Sequence, residues 1–272
     1  MHIPDILIGT FQVKDQNEMD RIVYSAIDAG ICGFDTAPSY STEGYLGNSL
    51  KKKFKHNQIN RKHIWIQDKI DAAQMFQHKY NGIKKHVYTQ LLMLGLEYLD
   101  VLLIHWPFKQ YFLQTWEQIV DLKSTGLVQY IGVCNLDIRG YRILFEANGL
   151  CPPDIVQNEI SPLNNCDMDN IFFQQKNIKI EAYSPLCRMI STISTDVGLK
   201  KIADSKGTNI GKVILKWHMQ KGIHPVFASK NPMRIYDNAH YEFSLSQSDM
   251  LYIEGLDQHY KLFPISYGCP GY

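Results

Sequence analysis

GFDTAPSY, residues Gly33 to Tyr40, is one of three short stretches in this chain that pass from apolar residues into polar ones. The other two are HIWIQDK, which ends at Lys69, and DVLLIH, which ends at His105. If the three are neighbouring parallel strands, their polar residues meet at one rim, because the loops that follow the strands of a barrel gather at its C-terminal face. The residues concerned are Asp35, Tyr40, Lys69 and His105. The stretches therefore predict both an α/β fold and a polar site at one end of it.

Short apolar runs alternate with longer stretches of helical period along the rest of the chain, which indicates parallel strands joined by crossover helices. The predicted strands are Ile6 to Gly9, Gly33 to Asp35, His63 to Lys69, Val101 to His105, Tyr130 to Cys134, Ile155 to Gln157, Lys179 to Tyr183 and His224 to Phe227. Predicted helices include Glu18 to Ala29, Ile83 to Leu94, Tyr111 to Ser124, Ile138 to Ala147, Met168 to Lys176 and Asn209 to Lys221. Eight such units in 272 residues predict a single (β/α)8 TIM barrel, which typically needs about 250 residues.

No Pro/Gly/Ser-rich linker or low-complexity tract divides the sequence, so we expect one domain over residues 1–272. The chain carries 28 basic and 27 acidic residues, a net charge of +1, which does not favour nucleic acid or an anionic membrane as partner. Its 6 cysteines are scattered, without a C-x-x-C pair or zinc-like spacing. We therefore expect no metal, reduced thiols and a cytoplasmic protein. The sequence leaves the oligomeric state open and is compatible with a monomer.

The four rim residues also make chemical sense as a unit. A phenol has a free pKa of about 10, and an ammonium within roughly 4 to 6 Å makes its proton easier to release. A carboxylate beside the ammonium would keep it charged, and an imidazole opposite would hold a substrate oxygen towards the phenol. Taken singly, Asp35 is more often a turn or helix N-cap and Lys69 a solvated loop lysine. Their shared position at strand ends favours a site that protonates an oxygen on which negative charge develops.

The chain resembles the aldo-keto reductase superfamily over nearly its whole length. Asp35-Thr36-Ala37-x-x-Tyr40-x-x-Glu43-x-x-x-Gly47 is similar to the family pattern D-T-A-x-x-Y-x-x-E-x-x-x-G. Asp100 to Pro107 resembles the D-x-x-x-x-H-W-P strand of the family. Three later segments resemble its G-V-S-N, Q-x-E and A-Y-S-P-L motifs: Gly132 to Asn135, Gln157 to Glu159 and Ala182 to Leu186.

The resemblance implies transfer of a hydride from a reduced nicotinamide to an aldehyde, a ketone or a sugar carbonyl. It makes Tyr40 the proton donor, Lys69 the cation that lowers its pKa, Asp35 the partner of Lys69, and His105 the residue that orients the carbonyl. It implies a cofactor site that runs from the nicotinamide to the adenine. Its residues would be Gly9, Thr10, Phe11, Asp35, Cys134, Asn135, Gln157, Tyr183, Ser184, Pro185, Leu186, Arg188, Ser229, Lys230, Arg234 and Asn238.

Within this set, the resemblance places Thr10 near the nicotinamide ribose and Asn135 and Gln157 on the nicotinamide carboxamide. Tyr183 would stack against the ring, and the stretch from Cys187 to Thr195 would form a loop over the pyrophosphate. The substrate, a small-molecule carbonyl compound, would contact Phe11, Tyr40, His105 and Trp106; core roles for Phe11 and Trp106 remain open.

The adenine end departs from the family pattern K-S-x-x-x-x-R-x-x-x-N. Ser229, Arg234 and Asn238 match it, but Ala228 stands in place of the lysine, and Lys230 is the candidate to replace it. Because Arg can hold a phosphate bidentately, NADPH is favoured over NADH. Cys134 in place of the family serine is a second departure, expected to weaken one cofactor hydrogen bond by about 1 kcal/mol.

Two other functions fit the same resemblance. One is a barrel that binds the cofactor in a regulatory or accessory role with little turnover, which would have no need of all four rim groups. The other is reduction of the carbon–carbon double bond of an enone. That activity accompanies a glutamate in place of the family histidine, and His105 is present.

Overall fold

Eight parallel strands close into a barrel in the order of the sequence. The computed structural model describes residues 2–55, 59–77 and 82–264. The strands are β1 Leu7–Gly9, β2 Gly33–Asp35, β3 Trp65–Ile70, β4 Leu99–Ile104, β5 Val128–Cys134, β6 Ile155–Glu159, β7 Lys179–Tyr183 and β8 Ile223–Phe227. β8 returns to β1 through the register pairs Leu7 with Val226 and Ile8 with Phe227. The prediction of a (β/α)8 TIM barrel is confirmed.

Helices follow the strands around the outside of the barrel. They are α1 Gln16–Asp28, α2 Glu43–Lys55, α3 Ala72–Gln77, α4 Gly82–Leu94, α5 Lys109–Ser124, α6 Ile138–Leu144, α7 Asp167–Gln175, α8 Ser191–Ser194, α9 Val197–Ser205, α10 Ile210–Gln220, α11 Pro232–Ala239 and α12 Gln247–Glu254. Each of the six predicted helices named above is present, with ends that differ by at most three residues. In the part of the chain that the structure describes, no helix is both long and apolar enough for a membrane span.

Several predicted strand ends differ from the structure by one or two residues, among them ends of β3 and β4, and one predicted loop contains short helical turns. β3 begins at Trp65 and not at His63, because Arg61–His63 form a short 3-10 turn. β4 ends at Ile104, so His105 lies just beyond the strand. The stretch from Cys187 to Thr195 is not a plain loop, since it contains a 3-10 turn at Cys187–Met189 and the single turn of α8.

The inside of the barrel changes from apolar to polar towards its C-terminal end. Because alternate residues of a strand face the same side, each strand contributes every second residue to the interior. An apolar cluster that includes Leu7, Trp65, Val101, Leu103 and Ile155 fills the lower part. The next inward positions carry polar groups, all with little or no exposed surface: Asp35, Gln67, Lys69, Gln157 and Glu181.

A buried ion pair joins two of these strands. Lys69 Nζ lies 2.7 Å from both carboxylate oxygens of Asp35 and donates a third hydrogen bond to the Thr36 carbonyl at 2.9 Å. The Lys69 side chain has no exposed surface and the Asp35 side chain only 5%. Each charge is therefore compensated almost entirely by the other, because water does not reach either group.

Replacing Gly47 by alanine is expected to destabilise the protein by about 1 to 3 kcal/mol, because α2 approaches α4 at this point. A Cβ on Gly47 would lie 2.5 Å from the Met93 carbonyl oxygen and 2.7 Å from Leu94 Cα. Gly44 is the control on the same helix, since a Cβ there meets nothing within 4 Å. Urea unfolding of both variants measures the effect, and equal losses for Gly47→Ala and Gly44→Ala would contradict this account.

Replacing Lys69 by methionine is expected to lower the free energy of unfolding by about 3 to 5 kcal/mol, because Asp35 is left as a buried charge without its partner. The double variant Asp35→Asn/Lys69→Met removes both charges and should recover part of that loss. Urea unfolding at neutral pH compares the two. A double variant less stable than Lys69→Met would show that charge compensation is not what holds this pair.

Candidate active site

A cavity of about 750 Å³ lies at the C-terminal ends of the strands. Its wall contains most of the residues that the sequence predicts for the nicotinamide end and the substrate pocket. These are Gly9, Phe11, Asp35, Tyr40, His105, Trp106, Cys134, Asn135, Gln157, Tyr183, Ser184, Pro185, Leu186 and Arg188. Lys69 does not line the cavity and lies behind Tyr40, where its Nζ is 5.0 Å from the centre of the Tyr40 ring.

Tyr40 and His105 meet across the cavity. The Tyr40 hydroxyl lies 3.4 Å from His105 Nε2, and the two rings are arranged edge to face. The other ring nitrogen, Nδ1, is hydrogen-bonded to the carboxylate of Asp71. Asp71 also accepts from the backbone N–H of Ser39 at 2.7 Å. Asp71 thereby fixes the orientation of the imidazole, so that Nε2 is directed at the Tyr40 hydroxyl.

Burial and charge act in opposite directions on these groups. Burial raises the pKa of Tyr40 well above its ordinary value, and the Lys69 charge opposes that rise only in part. Burial alone would lower the pKa of Lys69, but the Asp35 carboxylate raises it above its ordinary value. Burial would raise the pKa of Asp71, but the contacts with His105 and Ser39 together outweigh it and lower that pKa. At neutral pH the site therefore holds a protonated phenol beside a charged ammonium.

Asn135 and Gln157 present their carboxamides to the same cavity, and both are held by neighbours. Asn135 Nδ2 donates to the His105 carbonyl at 3.0 Å, and its Oδ1 accepts from the Tyr183 hydroxyl at 2.7 Å. Gln157 Nε2 donates to Asp35 at 3.0 Å.

Burial raises the pKa of the Cys134 thiol well above its ordinary value. Cys134 is thus a neutral thiol and not a reactive thiolate.

A second cavity, of about 1370 Å³, continues from the first along the loops after β1, β7 and β8. The two share wall residues, so together they form one groove: Gly9, Phe11, Gln12, Leu186, Arg188 and Ala228. At the far end lie Ser229, Lys230, Arg234 and Asn238, as the sequence predicts. α11 begins at Pro232, and Asn231 caps it by accepting from the N–H groups of residues 233 and 234.

Two predicted cofactor residues are engaged elsewhere. Thr10 has no exposed surface and lines neither cavity; its hydroxyl donates to the Asp35 carbonyl at 3.0 Å and lies 2.9 Å from Thr42 Oγ1. Lys230 does line the groove, but its Nζ donates to the Gln12 carbonyl at 2.7 Å and to Glu18 at 2.9 Å. The prediction that Thr10 lies at the ribose is therefore not supported, and Lys230 already has an anionic partner.

The sequence did not single out several residues that the structure places at the site. Asp71 orients His105, while Ser39, Ala72 and Phe263 add to the wall of the first cavity. Asp71 could have been noticed, since it follows Lys69 by two residues and comes directly after the end of β3. Phe263 comes from far along the chain and lies against Arg188, whose guanidinium carbon is 5.1 Å from the centre of the ring.

Among the described residues, no group of three or more His, Cys, Asp or Glu side chains is arranged to hold a metal ion.

Comparison with known proteins agrees with this geometry. A model of the Aldo/keto reductase family matches residues 5–258. An uncharacterized oxidoreductase, YtbE of Bacillus subtilis, is 30% identical over 265 residues, which cover 97% of this chain and 92% of the relative. Methylglyoxal reductase DkgA of Escherichia coli O157:H7 is 27% identical over 265 residues, covering 96% of this chain and 92% of the relative.

Solved structures show the same likeness. An aldo-keto reductase of Bombyx mori in complex with NADP superposes with a TM-score of 0.89 at 25% identity, covering 97% of this chain and 92% of that one. An aldo-keto reductase from a deep-sea metagenome, MGS-M4, gives a TM-score of 0.89 at 28% identity, covering 97% and 94%. With a matching family model over almost the whole chain and a barrel that carries the expected residues at its rim, this protein belongs to the aldo/keto reductase family.

Proposed function

We propose that this protein reduces aldehydes or ketones, including sugar carbonyls, to alcohols with NADPH as reductant. The proposal rests on one observation: the Tyr40 hydroxyl lies 3.4 Å from His105 Nε2, and the Lys69 ammonium lies behind the Tyr40 ring. Family membership makes the chain an NAD(P)H-dependent oxidoreductase, and the Bombyx mori relative is in complex with NADP. NADPH would supply the hydride when bound, while the protein supplies position and electrostatics.

The groove fits a dinucleotide with unlike ends. One end offers the carboxamides of Asn135 and Gln157 and the ring of Tyr183, which suit a nicotinamide. The other end offers Arg234 and Ser229 beside the N-terminus of α11, a place that favours a phosphate. Lys230 is bound to Glu18, so the phosphate would depend mainly on Arg234. This fit supports NADPH over NADH.

Tyr40 would give a proton to the substrate oxygen. It carries that proton at neutral pH, because the ordinary pKa of a phenol is about 10 and burial raises that of Tyr40 further. Lys69 lessens the cost of the phenolate that remains. Lys69 keeps its charge because it is bonded to both oxygens of Asp35. His105 keeps Nε2 directed at the Tyr40 hydroxyl because Asp71 holds Nδ1. A carbonyl oxygen bound between Tyr40 and His105 would thus meet a donor in a fixed direction.

The substrate wall is largely aromatic, with Phe11 5.0 Å from Tyr40 between ring centres and with Trp106 and Phe263 also present. Such a wall suits a carbonyl compound with an apolar part.

Methylglyoxal is a first small substrate to test, since relatives are named methylglyoxal reductases. The function is tested by following the oxidation of NADPH and NADH against a panel of aldehydes, ketones and sugars. Tight binding of NADPH without oxidation by any of them would favour the accessory role.

Replacing Tyr40 by phenylalanine is expected to lower kcat by at least about 100-fold, because only the proton donor is lost. The dissociation constant for NADPH should change by less than about twofold, since the ring itself remains. Tyr88→Phe is the control, because Tyr88 is a half-exposed tyrosine on α4 away from the cavity. Steady-state kinetics and fluorescence titration measure the two quantities. Unchanged turnover in Tyr40→Phe would remove the phenol from the mechanism.

Replacing Arg234 by alanine is expected to weaken the binding of NADPH by about tenfold or more, because a charge-assisted hydrogen bond is lost. The dissociation constant for NADH should change by less than about twofold. Lys230→Met is the matched control, because the Lys230 ammonium is committed to Glu18 and to the Gln12 carbonyl. It should alter the ratio of the two affinities less than Arg234→Ala does. Equal losses for NADPH and NADH in Arg234→Ala would mean that the phosphate is not held there.

A further inference from the structure

The buried carboxyl of Glu181 takes no part in the proposed proton transfer from Tyr40. It lies on β7, and its Oε2 accepts hydrogen bonds from Gln67 Nε2 and Gln157 Nε2, both at 2.9 Å. The same two nitrogens donate to Asp35 Oδ2, at 2.8 Å from Gln67 and 3.0 Å from Gln157. The four bonds close a ring in which two amides join two carboxyl groups. We call these four residues, Asp35, Gln67, Gln157 and Glu181, the amide–carboxyl ring.

The ring determines which atom Gln157 offers to the cavity. A primary amide nitrogen carries two hydrogens, and in Gln157 one goes to Asp35 and the other to Glu181. The nitrogen therefore has no donor left for a ligand, and Oε1 remains as an acceptor. Oε1 lies 3.7 Å from the thiol of Cys134, and both residues line the cavity. Without Glu181, one hydrogen of Gln157 would lose its partner, and within the ring only the bond to Asp35 would hold the amide in this orientation.

The ring also supports the ion pair beneath Tyr40. Asp35 receives two hydrogen bonds from the amides in addition to those from Lys69. Its position therefore depends on both amides, each of which is tied to Glu181. The second oxygen of Glu181, Oε1, has no hydrogen-bond partner among the residues that the structure describes.

Several charged or titratable groups face this carboxyl from the surrounding strands. The pKa of Glu181 is raised to about 7, above all by burial. The hydrogen bonds from Gln157 and Gln67 oppose that rise, Asp35 on β2 adds to it, and Lys69 on β3 opposes it. The Glu181 charge in turn raises the pKa of Cys134 on β5. Tyr40 lies on the other side of the Lys69 ammonium.

We infer that Glu181 is a positioning residue of the reductase site, which turns the Gln157 amide so that its oxygen faces the cavity and steadies Asp35 against Lys69. The inference rests on the proposed function. A nicotinamide carboxamide carries N–H donors, and an oxygen acceptor on Gln157 is their chemical complement. Glu181 would act through Gln157 and Asp35, without contact to substrate or cofactor.

Two substitutions separate orientation from charge. Glu181→Gln keeps an oxygen that can accept both amide bonds, so the dissociation constant for NADPH should change by less than about twofold. Glu181→Leu removes the acceptor and should raise the dissociation constant for NADPH by about tenfold, which corresponds to the loss of roughly one hydrogen bond.

Adenosine 2′,5′-bisphosphate, which lacks the nicotinamide, should bind all variants equally. Glu43→Gln is the control, since it changes a buried carboxyl of α2 outside the ring. Fluorescence and calorimetric titrations measure both ligands.

Three results would overturn the inference. One is wild-type affinity for NADPH in Glu181→Leu, another is an equal loss for NADPH and adenosine 2′,5′-bisphosphate, and the third is the same loss in Glu43→Gln. Failure of the proposed function would appear differently, in the wild-type protein, as NADPH binding without oxidation by any carbonyl compound. The comparison among the variants would still be measurable in that case.

The ring also predicts a pH dependence that requires no ligand. Because the pKa of Glu181 is about 7 in the folded protein and near its ordinary value of about 4.3 when unfolded, the folded protein holds a proton that the unfolded chain has released. Stability is therefore lost as pH rises through this interval. Glu181→Gln removes that loss, so its melting temperature relative to wild type should rise from about pH 5 to about pH 8. A difference that does not change with pH would contradict a buried, titrating Glu181.

Discussion

The site depends on the ion pair between Lys69 and Asp35. Both side chains are buried, so neither charge could remain inside the barrel without the other. The pair joins β2 to β3 and places a fixed positive charge behind the Tyr40 ring. Removing either partner would leave an uncompensated charge in the interior, and two amides, those of Gln67 and Gln157, also donate to Asp35. Asp35 is thus a part of the barrel interior as much as a part of the site.

The alternation of side chains along the strands brings these groups together. Every second residue of β2, β3, β6 and β7 faces inwards, and near the C-terminal end those positions are polar. The lower part of the barrel is filled by an apolar cluster that includes Leu7, Val101 and Ile155. The change from apolar to polar along the barrel axis gives the rim groups a rigid support. It also excludes water from the side of the site that faces the core.

The sequence was sufficient for the barrel and for the residues whose position follows from one strand. Asp35 is the last residue of β2, Lys69 the last but one of β3, and His105 the first after β4. Because these positions lie at the same end of neighbouring strands, the sequence predicted that the three would meet. Contacts between distant segments could not be predicted in this way. Gln67 meets Glu181 across the barrel, 114 residues apart in the chain. Lys230 meets Glu18, 212 residues away, and not the site expected from its place in the pattern.

Other features escaped because their signals are weak. α3 and α8 are only 6 and 4 residues long, too short for an apolar period to show. The partner of the Thr10 hydroxyl is a backbone carbonyl of another strand. A backbone partner leaves no trace in a side-chain pattern.

The contact of Lys230 with Gln12 and Glu18 has a consequence for the groove as a whole. Lys230 follows the last strand of the barrel, whereas Gln12 and Glu18 belong to the first unit, so one exposed ammonium spans the junction at which the ring of strands closes. Dissolved ions weaken an exposed ion pair by screening it. Raising the ionic strength is therefore expected to weaken this link between the first and last units of the barrel, at a point where Gln12 and Lys230 line the groove.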